Sequence, residues 1–194
     1  MPILDASNIL ITGATSGLGL EFARQLAPRA KTLILVARDK SKLEEVANEL
    51  KRNQKVEVIT EECDLSRGED IERMVNSLLE RIHIDVLVNN AGLGDFAFFD
   101  KSEWERDLKM MQVNVFGLTF LTYKLIPKMV ERKKGGVINI GSAAGIVSIP
   151  MAAIYNATKH YINGFSESLA LDLAGTGVVV TQVCPGLFLH LFRI

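Results

Sequence analysis

The feature that most constrains the fold is a regular alternation of two kinds of segment. Short apolar runs rich in β-branched residues alternate with longer segments in which apolar residues recur at helical spacing. This alternation is typical of β-α-β units, in which successive strands lie parallel. The predicted strands are Asn8–Thr12, Thr32–Val36, Val56–Thr60, Val86–Val88, Val137–Ile140 and Val178–Cys184. The predicted helices are Gly17–Ala27, Lys40–Lys51, Arg67–Arg81, Ser102–Arg132 and Met151–Ala174, and we expect the fourth to be broken or bent.

The predicted strands are apolar on both faces, as residues 9–11 and 178–180 illustrate. Strands with this pattern are covered by helices on both sides of their sheet. The fold class is therefore α/β, with a doubly wound parallel sheet in three layers. Because 194 residues suffice for one well-filled core, we interpret residues 1–194 as a single domain.

Composition argues against several classes of function. Lysine and arginine number 22 against 23 acidic residues, without a basic block, so a nucleic-acid partner is not expected. Cys63 and Cys184 share no metal-binding spacing, and His83, His160 and His190 are scattered, so we predict no metal site and inert core thiols. Without a signal peptide or a run near the ~20 apolar residues of a membrane span, a cytoplasmic protein is expected.

The first predicted strand leads directly into a glycine-rich turn and then a helix, TGATSGLG at residues 12–19. Small residues at this bend allow the backbone to approach a pyrophosphate, and the helix N-terminus offers free N–H groups to it. Glycines also serve strand-to-helix turns that bind nothing, so the position after the first strand carries the argument. The glycine spacing is G-x-x-x-G-x-G, wider in its first interval than the common dinucleotide-binding pattern.

With Thr12 in front, this turn resembles the TGxxxGxG signature of the short-chain dehydrogenase/reductase family. The resemblance extends from Asn8 to Gly186 and includes an Asn-Asn-Ala-Gly tetrad at residues 89–92, after the fourth strand. It implies a Rossmann-type domain that binds a nicotinamide dinucleotide. The cofactor-binding residues it implies are Gly13, Thr15, Ser16, Gly17, Leu18, Gly19, Arg38, Asp64, Leu65, Asn90, Ala91, Gly92, Tyr155, Lys159, Pro185 and Gly186.

Two of these positions have a second interpretation. Asp64 matches the acid that contacts adenine in the family, but an Asp here could also cap the following helix, as could Ser66. At the end of the second strand, Ala37 stands where NAD-preferring members hold a carboxylate, and Arg38 could bind a 2′-phosphate. NADP(H) is therefore favoured over NAD(H), the alternative being a surface arginine beside Asp39.

The chemical residues centre on Tyr155 and Lys159, which are four positions apart and so share one face of a helix. A free phenol has a pKa of about 10, and a nearby ammonium makes it a better acid. Such a pair arises by chance often enough to be weak evidence alone. Ser142, thirteen residues earlier, and Asn114 complete a set that resembles the family's catalytic tetrad.

The resemblance implies a role for each member of this set. Tyr155 gives its proton to a carbonyl oxygen that Ser142 also binds, while Lys159 lowers the tyrosine pKa and holds the nicotinamide ribose. Asn114 holds a water that connects Lys159 to solvent, the alternative being a residue that only kinks its helix. The implied activity is NADPH-dependent reduction of a carbonyl substrate, or oxidation of the corresponding alcohol.

After Pro185 and Gly186, family members continue with a substrate loop, in which a Thr touches the cofactor, and with further helices and a last strand. Residues 187–194 read LFLHLFRI and do not resemble that loop. We therefore expect a chain shortened after the sixth strand, with an open sheet edge. The alternative function is a cofactor-binding interaction module without turnover.

The two long predicted helices, Ser102–Arg132 and Met151–Ala174, pack against a second subunit in family members. They carry more apolar residues than one sheet face needs, so we expect a C2 homodimer. The alternative is that these residues fill the groove between helix and sheet. The residues concerned are Phe116, Phe120, Tyr123, Phe165 and Leu169.

Overall fold

The computed structural model describes residues 4–186, which form a six-stranded parallel sheet in the order β3-β2-β1-β4-β5-β6. The strands are β1 Asn8–Thr12, β2 Thr32–Ala37, β3 Glu57–Glu62, β4 Val86–Asn89, β5 Gly135–Ile140 and β6 Val178–Val183. The strand order reverses direction between β1 and β4, and such a switch point opens a crevice at the carboxyl ends of the strands. The expectations for the tail, residues 187–194, lie outside the described residues.

Helices cover both faces of the sheet, which confirms the doubly wound architecture. They are α1 Gly17–Leu26, α2 Lys40–Asn53, α3 Gly68–Leu79, α4 Trp104–Met111, α5 Leu118–Glu131 and α6 Ala153–Asp172. Successive residues of a strand point to opposite faces, so Ile9 packs into the core beneath α1 and α2, and Leu10 into the core beneath α3 and α5. Both faces of β1 are therefore buried, as its uniformly apolar sequence requires.

The predicted break in the fourth helix is confirmed, and its form is a π-helical segment at Gln112–Gly117 between α4 and α5. Gly117 ends this segment where it passes very close to another part of the chain. A Cβ built on Gly117 would lie 2.4 Å from the carbonyl oxygen of Leu65. Single π turns of this kind are frequent at functional sites, and this one contains the fully buried Asn114.

One cysteine differs from its prediction. Cys63 is buried, and burial raises the pKa of its thiol to about 12, which suits an inert core thiol. Cys184 lies beyond the end of β6 and is only half-buried, because strand pairing with β5 stops at Val183. The Cys184 sulfur instead receives a hydrogen bond of 2.9 Å from the side chain of Gln182.

Residues 4–186 contain neither a candidate membrane span nor a candidate metal cluster. No helix there is both long and apolar enough to cross a membrane. The same residues contain no cluster of three or more histidine, cysteine or acidic side chains that could hold a metal ion.

Candidate active site

A cleft of about 1020 Å³ runs across the carboxyl ends of the strands, at the switch point between β1 and β4. It is lined by residues that follow each of the six strands, so one surface collects positions far apart in sequence. The predicted site residues that line it are Gly13, Thr15, Ser16, Leu18, Arg38, Asp64, Leu65, Asn90, Ala91, Gly92, Ser142, Tyr155, Lys159, Pro185 and Gly186. The predicted residues that do not line it are Gly17, Gly19 and Asn114.

The glycines of the turn allow a backbone that other residues would obstruct. Gly13 has a φ of +65°, a conformation that favours glycine, and a Cβ there would lie 3.0 Å from the Cα of Ala91. Gly19 lies inside α1, where a Cβ would come within 2.2 Å of the Gly13 carbonyl oxygen. Gly19 therefore contributes by allowing α1 to lie against the turn, and not by contacting the cleft.

The N-terminus of α1 is suited to an anion. Ser16 precedes the helix with extended backbone, φ −159° and ψ 166°, and its side chain makes no capping hydrogen bond. The first N–H groups of a helix have no intrahelical acceptor and carry partial positive charge. Because Ser16 and Leu18 line the cleft, these donors suit the pyrophosphate of a dinucleotide.

Thr12 connects this turn to the tetrad at residues 89–92, a role that the sequence analysis did not assign. Its buried hydroxyl accepts hydrogen bonds from the backbone N–H groups of Asn90 and Ala91, each at 3.0 Å. The Asn90 side-chain amide donates in return to the Thr12 carbonyl oxygen at 2.9 Å. The two halves of the cleft floor are thereby fixed to each other at the switch point.

The end of β2 presents a cationic group to the cleft. Arg38 is exposed there, and among the described residues it forms no ion pair. The Asp39 carboxylate caps α2, accepts from the Lys42 backbone N–H at 3.1 Å and faces the Lys42 ammonium at 3.5 Å. Lys40 and Lys42, which lie in the first turn of α2, also line the cleft.

Asp64 has a partner that neither interpretation from the sequence included. Its carboxylate forms an ion pair of 2.7 Å with Lys109 of α4 and accepts two hydrogen bonds from Ser66. Burial alone would raise the pKa of Asp64, but the hydrogen bonds from Lys109 and Ser66 outweigh it and lower the pKa to about 2. The capping prediction is wrong, because α3 begins at Gly68 with Arg67 at its N-cap and without a side-chain cap.

Tyr155 and Lys159 lie one turn apart on α6, as their spacing predicts, and both line the cleft. The Lys159 ammonium nitrogen is 5.8 Å from the centre of the Tyr155 ring. Ser142 lines the same part of the cleft just after β5, where its hydroxyl accepts from the Ala144 backbone N–H at 3.1 Å. The ring of Phe96 also lies near Tyr155, tilted by 49°, with 5.9 Å between the ring centres.

Lys159 is an unusual lysine because only 6% of its surface is exposed. Its ammonium donates a hydrogen bond of 3.0 Å to the carbonyl oxygen of Ile140, at the end of β5. Burial lowers the pKa of Lys159 to about 8, and the nearby Cys184 opposes this only weakly. A cation held in this way is costly to the fold, which favours a functional interpretation.

Asn114 supports the site through hydrogen bonds, although it does not line the cleft. Its amide donates to the Leu93 carbonyl oxygen at 2.8 Å and to the Thr158 hydroxyl at 3.1 Å, and its oxygen accepts from the Leu93 backbone N–H at 2.8 Å. These bonds fix the loop after residues 89–92 to α6. Both amide hydrogens are used by protein acceptors, so only the Asn114 oxygen retains capacity for the predicted water.

Residues 7–190 match the family described as short chain dehydrogenase, and the chain belongs to this family. Over 180 residues it is 34% identical to the very-long-chain 3-oxoacyl-CoA reductase of Anas platyrhynchos, covering 91% of this chain and 58% of that protein. A putative ketoacyl reductase of Streptomyces coelicolor is 37% identical, with 96% of this chain and 72% of that protein covered. The chain thus spans less than three fifths of the 3-oxoacyl-CoA reductase.

Solved structures of family members share the fold closely. A metagenomic short-chain oxidoreductase in complex with NADP superposes with a TM-score of 0.90 at 32% identity, covering 96% of this chain and 85% of that one. A short-chain dehydrogenase/reductase from Burkholderia phymatum in complex with NAD gives 0.90 at 32% identity, covering 96% and 67%. Similar structures therefore bind either nicotinamide cofactor.

Proposed function

We propose that this protein reduces a ketone or aldehyde with NADPH, or oxidises the corresponding alcohol in the reverse direction. The proposal rests on the observation that two different sets of residues line the same cleft. Ser142, Tyr155 and Lys159 line one end, and the glycine-rich turn with Arg38 lines the other. A dinucleotide requires two such sets of residues, because its nicotinamide reacts at one place while its phosphates are held at another.

At the chemical end, each side chain has a distinct task. A bound nicotinamide cofactor would supply the hydride. The Tyr155 hydroxyl gives its proton to the substrate carbonyl oxygen, and the Ser142 hydroxyl donates a hydrogen bond to the same oxygen and orients it. The buried Lys159 ammonium stabilises the phenolate that Tyr155 becomes, and a low local dielectric strengthens that attraction.

The preference for NADPH over NADH rests on the charges at the end of β2. Arg38 is exposed without an ion pair among the described residues, and Lys40 and Lys42 line the same part of the cleft. The Asp39 carboxylate is engaged by Lys42, so it does not neutralise Arg38. A planar guanidinium suits a 2′-phosphate, which NADPH carries and NADH lacks.

The names of the relatives support a substrate class. Two are named as reductases of 3-oxoacyl-CoA or ketoacyl substrates, so a ketone next to an acyl thioester is our first choice for a substrate panel. Large apolar side chains stand exposed on the loops that adjoin Tyr155 and Ser142, which suits a substrate with an apolar chain. They are Phe98, Phe99, Ile146, Val147 and Met151.

The test is turnover of NADPH with 3-oxoacyl thioesters, aliphatic ketones and aldehydes, in wild type and in Tyr155→Phe. We expect Tyr155→Phe to lose a factor of roughly 10²–10⁴ in turnover, since it removes the transferable proton, while NADPH still binds. The matched control is Tyr161→Phe, because Tyr161 lies on the same helix but bonds to Thr119 outside the cleft.

The outcomes separate the two functions that the sequence leaves open. Turnover in wild type and in Tyr161→Phe, with loss only in Tyr155→Phe, supports the reductase. Full activity in Tyr155→Phe would refute the assignment of the acid. NADPH binding without turnover of any substrate would favour the interaction module instead.

The cytoplasmic location stays a prediction from the sequence.

We also propose a homodimer through α5 and α6. Three aromatic rings stack along one face of the π segment and α5, and two more stack on α6. Tyr123 is 70% exposed and Phe116 42% exposed, so the groove-filling alternative does not account for them. A dimer would bury this face. Light scattering is expected to give twice the chain mass, and to give the monomer mass for a Phe116→Glu/Tyr123→Glu variant.

A further inference from the structure

Lys109, which is not among the predicted site residues, lies next to Asp64, the acid that follows β3. Lys109 of α4 donates to the Asp64 Oδ2 at 2.7 Å and to the Ser66 hydroxyl oxygen at 2.5 Å. The Ser66 hydroxyl and backbone N–H donate in turn to Asp64 Oδ1, at 2.8 and 3.0 Å. The three residues close a ring of hydrogen bonds, although Lys109 and Asp64 are 45 positions apart.

The geometry leaves one part of this carboxylate available. An ionised carboxylate has about four acceptor positions. Oδ1 accepts both bonds from Ser66, whereas within residues 4–186 the only donor to Oδ2 is Lys109. Asp64 lines the cleft, whereas Lys109 is not among the residues that line it. Oδ2 therefore retains acceptor capacity on a residue that borders the cleft.

We propose that Lys109 is a positioning residue that fixes the Asp64 carboxylate as an acceptor for the exocyclic amine of the cofactor's adenine. This rests on the proposed function, because it requires a dinucleotide in the cleft. Lys109 acts through Asp64 and makes the site selective for a base that donates a hydrogen bond at its 6-position. A hypoxanthine base presents a carbonyl oxygen there, which a fixed carboxylate repels.

An ordinary surface ion pair would not have this consequence. Exposed pairs hold their side chains weakly and contribute little, and the pair between Lys128 and Glu131 on α5 is of this kind, with side chains 59% and 67% exposed. The side chains of Lys109 and Asp64 are 34% and 26% exposed, and Ser66 bonds to both of them. The same ring that restrains the carboxylate also lowers the pKa of Asp64 to about 2.

The experiment measures dissociation constants for NADPH and for its hypoxanthine analogue, reduced nicotinamide hypoxanthine dinucleotide phosphate. Wild type is expected to bind the adenine form roughly tenfold or more tightly, as a hydrogen bond to a charged group warrants. Lys109→Met is expected to reduce that ratio at least roughly threefold. Lys109→Arg, which keeps a donor to Asp64, is expected to restore most of it, and Lys128→Met is expected to leave it unchanged.

Each other outcome overturns the proposal. If Lys109→Met weakens both cofactors equally, Lys109 acts only as a positive charge near an anion. If wild type binds the adenine and hypoxanthine forms equally, Asp64 does not distinguish the two bases. If wild type does not bind NADPH, the proposed function fails and this inference with it, a result distinct from the first two. Should Lys109→Met fail to fold by circular dichroism, Lys109→Leu provides the same comparison, because leucine also lacks a donor for Asp64.

Discussion

The two ends of the cleft are built in different ways. The nucleotide end is largely backbone, with Gly13, Gly17 and Gly19 inside one seven-residue stretch of chain. The chemical end consists of side chains that come from separate elements, with Ser142 after β5 and Tyr155 on α6. A contiguous motif therefore suffices to specify the first end, whereas the second exists only when the whole sheet is assembled.

This difference predicts different ways to fail. At the nucleotide end the limiting condition is space, because strand, turn and helix approach one another within van der Waals distance. At the chemical end it is hydrogen bonding, because buried polar groups must keep their partners. Beneath that end, Asn139 bonds to Asn89 and Ser166, and Asn89 bonds to Thr122, all of them buried.

The largest effect is expected from Gly19→Ala, which tests the steric condition. Its Cβ would meet the Gly13 carbonyl oxygen at 2.2 Å and the Asn90 amide nitrogen at 2.4 Å. The helix would have to move away from the turn. We expect the free energy of unfolding, measured by urea denaturation, to fall by about 3 kcal/mol, the upper range for overpacking, and NADPH binding to weaken.

Gly164→Ala is the matched control, since it is also a glycine within a helix but has nothing within 4 Å of its built Cβ. Alanine favours helix over glycine by about 0.5–1 kcal/mol, so this variant is expected to be slightly more stable than wild type. If both variants have the same stability as wild type, space at the turn is not the limiting condition.

A smaller effect is expected at the open side of the nucleotide end. Arg38→Ala removes the exposed guanidinium but no internal contact among the described residues, so the fold should be unaffected. We expect NADPH to bind roughly 10–100-fold more weakly, the range for losing a charge-assisted hydrogen bond, and NADH to bind as before. Calorimetry with both cofactors measures the ratio.

Arg52→Ala is the control for Arg38, because Arg52 lies at the other end of α2 and, within residues 4–186, bonds only to the Asn48 carbonyl oxygen. An unchanged ratio of NADPH to NADH affinity in Arg38→Ala would show that Lys40 and Lys42 provide the phosphate site without it. The preference for NADPH over NADH would then depend on residues of α2 instead of on Arg38.

The six strands, their parallel doubly wound arrangement and the glycine-rich turn were within reach of the sequence, because each depends on periodicity or on a local motif. Thr12 and Lys109 were not predicted as site residues. Thr12 acts on residues 78 and 79 positions away, and Lys109 on one 45 positions away, so no local pattern signals either contact. Their partners become neighbours only through the parallel crossovers of the sheet.

Asn114 shows the same limit from another side. The sequence predicts a bend near it, since a mid-helix asparagine is atypical. Its bonds to Leu93 and Thr158, however, depend on how the π segment, α6 and the loop after β4 come together. Local sequence thus indicates where a helix is irregular, but not what the irregularity supports.

The smallest effect concerns the cost of burying the Lys159 ammonium, and it appears as a pH dependence of stability. Burial lowers the pKa of Lys159 from an ordinary value of 10.5 to about 8. Between these values the unfolded chain binds more protons than the folded one, so stability rises with pH. Cys63 acts in the opposite sense, because burial raises its pKa from 9.0 to about 12 and stability falls above pH 9.

A net rise from Lys159 is therefore confined to about pH 8 to 9, and its size is on the order of 1 kcal/mol, below the limit of ~1.4 kcal/mol per pH unit for one proton. Urea denaturation across this interval should show the rise in wild type and not in Lys159→Met, which buries a neutral side chain of similar length. Lys128→Met, an exposed lysine, should keep it. In Cys63→Ala the rise should continue above pH 9, because the opposing thiol is gone. Equal slopes in wild type and Lys159→Met would mean that the folded protein holds the ammonium without penalty, and burial of this cation would then not be a cost of building the chemical end.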